Sequence, residues 1–284
     1  MIVRIEAFND LETFLDRVDD FFMKSPVHHS PILKVLTTLG ENLNQFGEED
    51  PWFFCMSDEG GKILGAGLQT PPRPLVITDM PNSAVCRLVE YLKNNHIELP
   101  GLRGPLKPAR LFVDLWHEAD TQTVQPTVEL KLYQLDKVTH EIQTPGRLVQ
   151  AGPEHQALVH AWITAFAIEV ALPHGGPTQE RIAHRIAVGE YYFWQVGETM
   201  TCIAGKNAKP NHGVSHIGPV YTPPEHRGHG YATDASAALT QMILDEGANH
   251  SSLFADLHNP QTNKIYQMIG YEEIGIHNVY AFAP

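Results

Sequence analysis

Two glycine-turned hairpins, far apart in the chain and each followed by a similar succession of elements, limit the fold of this sequence more than any other feature. PWFFCMSD, a turn at Glu59, Gly60 and Gly61, and KILGAGLQT form the first; EYYFWQV, a turn at Gly197 and TMTCIAG form the second. Aromatic and β-branched runs interrupted by glycine read as antiparallel strand pairs. After the first come the strand PLVITDM, the helical runs SAVCRLVEYLKNN and KPARLFVDLWHEA, and the strand VELKLYQL. After the second come a strand, a helix, a strand, a helix and a final strand. Identity between the halves is low, so the repeat rests on the order of elements. It predicts two related α/β halves, residues 1–140 and 141–284, divided near the polar stretch DKVTHEIQTPGR.

The chain starts with an alternating strand, MIVRIEAF, and Asn9 with Glu12 offers a capping box for the helix that follows. Leu11, Phe14, Leu15, Val18, Phe21 and Phe22 recur at helical spacing and leave Asp16, Asp19 and Asp20 outward. A less regular stretch leads from this helix to the first hairpin.

Composition removes several classes of function. The N-terminus carries acids where a signal peptide carries bases, and no apolar run reaches about 18 residues. That predicts a soluble, unexported chain with no membrane partner. Cys55, Cys86 and Cys202 lie far apart with no CxxC, which fits a reducing compartment such as the cytoplasm. A formal charge of −13 disfavours nucleic acid as partner and favours cationic ligands such as amines. His226 and His229 stand three apart in a glycine-rich loop without further ligands in view, so no metal is expected.

That loop joins a strand to a helix. GVSHIGPVY reads as the strand, ended by Pro223 and Pro224. The helix runs from Tyr231 to Glu246, with Tyr231, Ala235, Ala238, Leu239, Met242 and Ile243 on its apolar side and Gly247 as its cap. Between them sits RGHGYA. Strand, glycine-rich turn and helix N-terminus aim successive amides at one spot, where the helix dipole adds positive charge, and so make an anion site. An ordinary tight turn is the alternative. A Walker loop would need Lys and then Ser or Thr where Tyr231 and Ala232 stand, and only the GxG of a dinucleotide fingerprint is present.

RGHGYA, Arg227 to Ala232, matches the R/Q-x-x-G-x-G/A signature of the GCN5-related N-acetyltransferases (GNAT), and the chain resembles that family from about residue 213 to 280. Downstream, SSLFADLHNPQTNKIYQMIGYEEIG resembles the family's next strand, its N-(six residues)-Y helix and the G-F/Y opening a last strand, with Asn259, Tyr266, Gly270 and Tyr271 at the matching places. The resemblance implies two halves of mixed, mostly antiparallel sheet flanked by helices, with acetyl-coenzyme A as co-substrate and no metal. It assigns Val220 and Tyr221 to the pantetheine arm, and Arg227, Gly228, His229, Gly230, Tyr231 and Ala232 to the pyrophosphate. Asn259 and Asn263 would bind the coenzyme, and Tyr266 would protonate the departing thiolate. Each has a plainer reading: Asn259 as the start of an Asn-Pro turn, Asn263 as a helix-surface residue, Tyr266 as a packed core ring. For a general base the family offers no fixed position. His216, placed by period-two alternation on the face of Val220, and Glu169 and Glu190 are all open.

The first half departs from the pattern. Between PLVITDM and SAVCRLVEYLKNN stand Pro81 and Asn82 with no R-x-x-G-x-A, so it resembles a degenerate copy that lost the coenzyme, or is an unrelated α/β domain. The expected function is an acyl-coenzyme A-dependent N-acyltransferase moving acetyl to a small amine, amino acid or peptide. A non-catalytic acyl-coenzyme A-binding regulatory module is the alternative. An aminoacyl-tRNA-dependent transferase is a third, against which the acidic balance speaks.

Overall fold

The computed structural model describes residues 2–117, 124–171, 176–207 and 210–282. They fall into two compact units: Met1–Leu132 with Ala255–His258 and Ile274–Pro284, and Tyr133–Phe254 with Asn259–Glu273.

In the first unit the chain runs through strand β1 (Arg4–Phe8), helices α1 (Leu11–Met23) and α2 (Ser30–Glu41), and strands β2 (Trp52–Ser57), β3 (Ile63–Gln69) and β4 (Leu75–Ile77). Helix α3 (Asn82–Asn94), strand β5 (Gly101–Pro105), helix α4 (Leu106–Trp116) and the start of β6 (Val128–Leu135) follow. β1, β2, β3 and β4 pair antiparallel in turn, whereas β4 and β5 run parallel. Alternation along β2 explains the layering: Phe53 and Cys55 pack with α1 and α2 residues such as Phe14, Val18 and Leu36. Phe54 and Met56, one step on, pack on the opposite face with Leu88, Ala109 and Phe112 of α3 and α4. Burying these faces is the main favourable term.

The second unit repeats the succession. Strand β7 (Gly146–Gln150) leads through α5 (Gln156–Glu169) and α6 (Gln179–Ala187) to β8 (Tyr191–Val196), β9 (Thr199–Lys206) and β10 (Val214–Tyr221). Helix α7 (Tyr231–Asp245), strand β11 (His250–Asp256), helix α8 (Pro260–Ile269) and strand β12 (Glu272–Ala281) complete the chain. β7 to β10 pair antiparallel, and β10 and β11 are parallel. Phe193, Ile203 and Tyr221 face α5 and α6. Their neighbours Trp194, Cys202 and Val220 face Ala235 of α7. Each unit is therefore a mixed, mostly antiparallel sheet between two pairs of helices, as the sequence predicts.

Several expectations change in detail. Asp10, not Asn9, caps α1, its carboxylate accepting from the amide and hydroxyl of Thr13 at 2.8 and 2.6 Å. The less regular stretch contains α2, and GLRGP between the two predicted helices is strand β5. The units also depart from a single cut at residue 140. Tyr133 onward belongs to the second unit, and residues from Ile274 return to the first, where β12 pairs antiparallel with β5, His277 opposite Pro105 and Ala281 opposite Gly101. No helix among the described residues is long and apolar enough to cross a membrane.

Candidate functional site

Strand β10 opens the site. Its parallel pairing with β11 covers Val214, Ser215 and His216 opposite His250, Ser251 and Ser252. β11 continues to Asp256, and among the described residues the pairs between the two strands end at His216. On its other side, β10 slips register against β9 between Ile217, opposite Lys206, and Val220, opposite Ala204. This bulge at Gly218 and Pro219 takes backbone groups out of the ladder at the point where the strands part. It also breaks the alternation that would put His216 and Val220 on one face.

Past β10 the chain turns through Pro223, Pro224 and RGHGYA into α7. Gly228 and Gly230 have φ of +80° and +86°, left-handed values that favour glycine. Nothing lies within 4 Å of a Cβ placed on Gly228, and only the Thr144 methyl, at 3.5 Å, near one on Gly230. Asp10, Thr178 and Asn259 cap their helices with side chains, whereas Gly230 caps the 15-residue α7 without one. Residues 227 to 230 are exposed and Tyr231 and Ala232 half-buried, with the His229 and Tyr231 rings stacked at 5.3 Å.

Arg227 does not simply rim this loop. Its Nε donates to the Thr222 carbonyl at 2.8 Å, and its Nη2 pairs with Glu169 Oε2 at 2.6 Å. The guanidinium also lies 5.7 Å from the centre of the Tyr221 ring. Donating this hydrogen bond to the Glu169 carboxylate raises the Arg227 pKa. Glu169 is thus engaged, and Glu190 likewise pairs with Arg185. His216 Nδ1 lies 3.3 Å from Ser252 Oγ at the last paired step of β10.

Asn259 caps α8, its Oδ1 accepting from the Thr262 amide at 3.0 Å, and remains exposed. Asn263 is buried with both ends of its amide engaged: Oδ1 accepts from the Tyr133 hydroxyl at 2.9 Å and Nδ2 donates to the Asn259 carbonyl at 2.7 Å. It is therefore not the helix-surface residue of the plainer sequence reading. Tyr266 is 8% exposed, between Tyr133 and Tyr271 at ring distances of 6.3 and 5.8 Å. Burial first, then Tyr271 and Cys202, push its phenol pKa up, so it stays protonated. Tyr271 is a core residue, its hydroxyl bonded to Thr240 and Ser251 at 2.9 and 2.6 Å.

Sequence reasoning missed Asp234. This first-turn residue of α7 is 1% exposed; one oxygen accepts from His140 Nε2 at 2.7 Å, the other from the amides of Gln143 and Thr144 at 3.0 and 2.6 Å. Burial raises its pKa, but the bonds from His140, Thr144 and Gln143 outweigh it and leave the carboxyl below its ordinary value. Thr144 also accepts from Trp194 Nε1 at 2.9 Å. The polar stretch read as a linker is therefore bound against the base of the glycine loop. An acid in a first turn reads only as helix-dipole chemistry, and nothing in the sequence pairs it with His140.

Residues 197–281 match the family model described as FR47-like protein. No curated protein matches the chain by sequence. Among solved structures, a Drosophila protein superposes with a TM-score of 0.67 at 12% identity, covering 99% of this chain and 98% of that one. A GNAT-family acetyltransferase from Colwellia psychrerythraea follows at 0.56 and 13%, covering 98% and 100%. The fold is that of the GCN5-related N-acetyltransferases. A tandem GNAT protein from the clavulanic acid biosynthesis pathway matches along 100% of this chain and 99% of its own, with a TM-score of 0.53 at 11% identity.

Both units follow the same order of elements, but the first lacks the loop. Only residues 78 to 81 separate β4 from α3, where residues 222 to 230 separate β10 from α7. Pro81, at φ −67°, caps α3. Beyond the β4–β5 pairs, Ile77 fills the space over Gly104, whose added Cβ would lie 2.5 Å from Cγ1 of Ile77.

Proposed function

We propose that the second unit is an N-acyltransferase that moves an acyl group, acetyl first of all, from coenzyme A to the primary amine of a small molecule, amino acid or peptide. The observation that carries this reading is the pair of left-handed glycines opening α7 where β10 parts from β11. Gly228 to Ala232 would hold the pyrophosphate through bare amides and the helix dipole. Backbone freed at the Gly218–Pro219 bulge, with Val220 and Tyr221, would bond the pantetheine arm and polarise the thioester carbonyl. Asn259 keeps its side-chain NH2 group for the coenzyme while its oxygen caps α8.

In the transfer, the amine nitrogen bonds to the carbonyl carbon as the carbon–sulfur bond breaks, the electron pair leaving on sulfur. Tyr266, kept protonated by burial, gives its phenolic proton to that sulfur. The proton lost from nitrogen leaves to solvent water. The first unit, with Ile77 over Gly104 and no glycine loop, does not bind coenzyme in this reading. Neither nucleic acid nor membrane is a partner, and the three free cysteines suit the cytoplasm.

Calorimetry with acetyl-coenzyme A tests the site, alongside Gly230→Trp, whose indole would occupy the cradle. One site per chain is expected, lost in the variant; no heat from the folded wild type would reduce the loop to a turn. Binding without transfer to any of a panel of amines would favour the regulatory-module alternative.

A further inference from the structure

Arg227 adjoins the first glycine of the loop, yet its guanidinium is turned back onto Glu169 at the C-terminal end of α5. The two side chains are 44% and 52% exposed. A half-exposed pair of this kind is held weakly, because water and salt screen it and two long side chains must be fixed. A diphosphate offers the same guanidinium more charge and a forked acceptor, which Arg matches with two parallel bonds. Between these acceptors the phosphate wins.

We propose that Arg227 is exchanged between Glu169 and the coenzyme: pyrophosphate binding draws the guanidinium off Glu169 and leaves an unneutralised carboxylate at the end of α5. This rests on the coenzyme site proposed above.

A double-mutant cycle on coenzyme A binding, read by calorimetry at low salt, tests the exchange without an acceptor. Glu169→Gln frees Arg227 in advance and should tighten binding by about two- to fivefold, the range expected for an exposed pair. Arg227→Gln should weaken binding, and Glu169→Gln added to it should change nothing more. Unchanged affinity on Glu169→Gln alone would overturn the exchange. So would equal tightening with Gln at 227, since the carboxylate would then act only as a distant charge. No binding by the folded wild type would instead remove the coenzyme site, and the exchange with it.

Discussion

Replacing Asp234 by Ala removes a buried carboxylate that gathers three donors onto the first turn of α7. His140 Nε2 and the amides of Gln143 and Thr144 would lose their acceptor together. Breaking a buried charged group away from its partners costs about 3–5 kcal/mol, and water reaching the half-buried amides keeps the loss toward the lower end. For a unit of this size that lowers the melting temperature by about 6–12 °C. Circular dichroism melts and urea titrations measure it, with Asp234→Asn as an intermediate because one acceptor oxygen remains. The pH dependence has a definite sign. The folded-state pKa of Asp234 lies below the ordinary carboxylate value of 3.8. Its contribution is therefore complete above that value and disappears as pH falls through the folded one. The gap between wild type and Asp234→Ala should be widest near neutrality and close in acid. A loss under about 1 kcal/mol at neutral pH, or a gap that widens in acid, would refute the reasoning.

Tyr266→Phe should lower kcat by about 10²- to 10⁴-fold while coenzyme affinity stays within about twofold, as single-turnover kinetics and calorimetry would show; a transfer rate equal to wild type would leave Tyr266 a core ring only. Gly146→Ala should destabilise the protein by about 1–3 kcal/mol in urea unfolding, because the new Cβ overlaps the indole of Trp194 and its bond to Thr144.

What the sequence displays well is local and periodic. The hairpins, α3, α4 and α7 follow from apolar spacing, and the glycines of the loop mark their own backbone need. Helix α2 was obscured because His29 caps it without a side-chain bond and Pro31 stands in its first turn, although Ile32, Leu33, Leu36 and Leu39 keep helical spacing. β5 holds two glycines and a proline in five residues; it is a strand because β4 and β12 pair with it, a tertiary cause that overrides propensity. Glu169, Tyr133 and His140 stand far along the chain from Arg227, Asn263 and Asp234, so these contacts need the fold. The return of β12 to the first unit is equally non-local.

That return has a consequence for synthesis. A ribosome delivers β12 only after the entire second unit, so the nascent first unit lacks the strand that covers one edge of β5. Domains usually fold as they emerge, N-terminal first. Here the unit made earlier is completed only after the later one, and an open sheet edge must wait for a strand synthesised beyond the second unit.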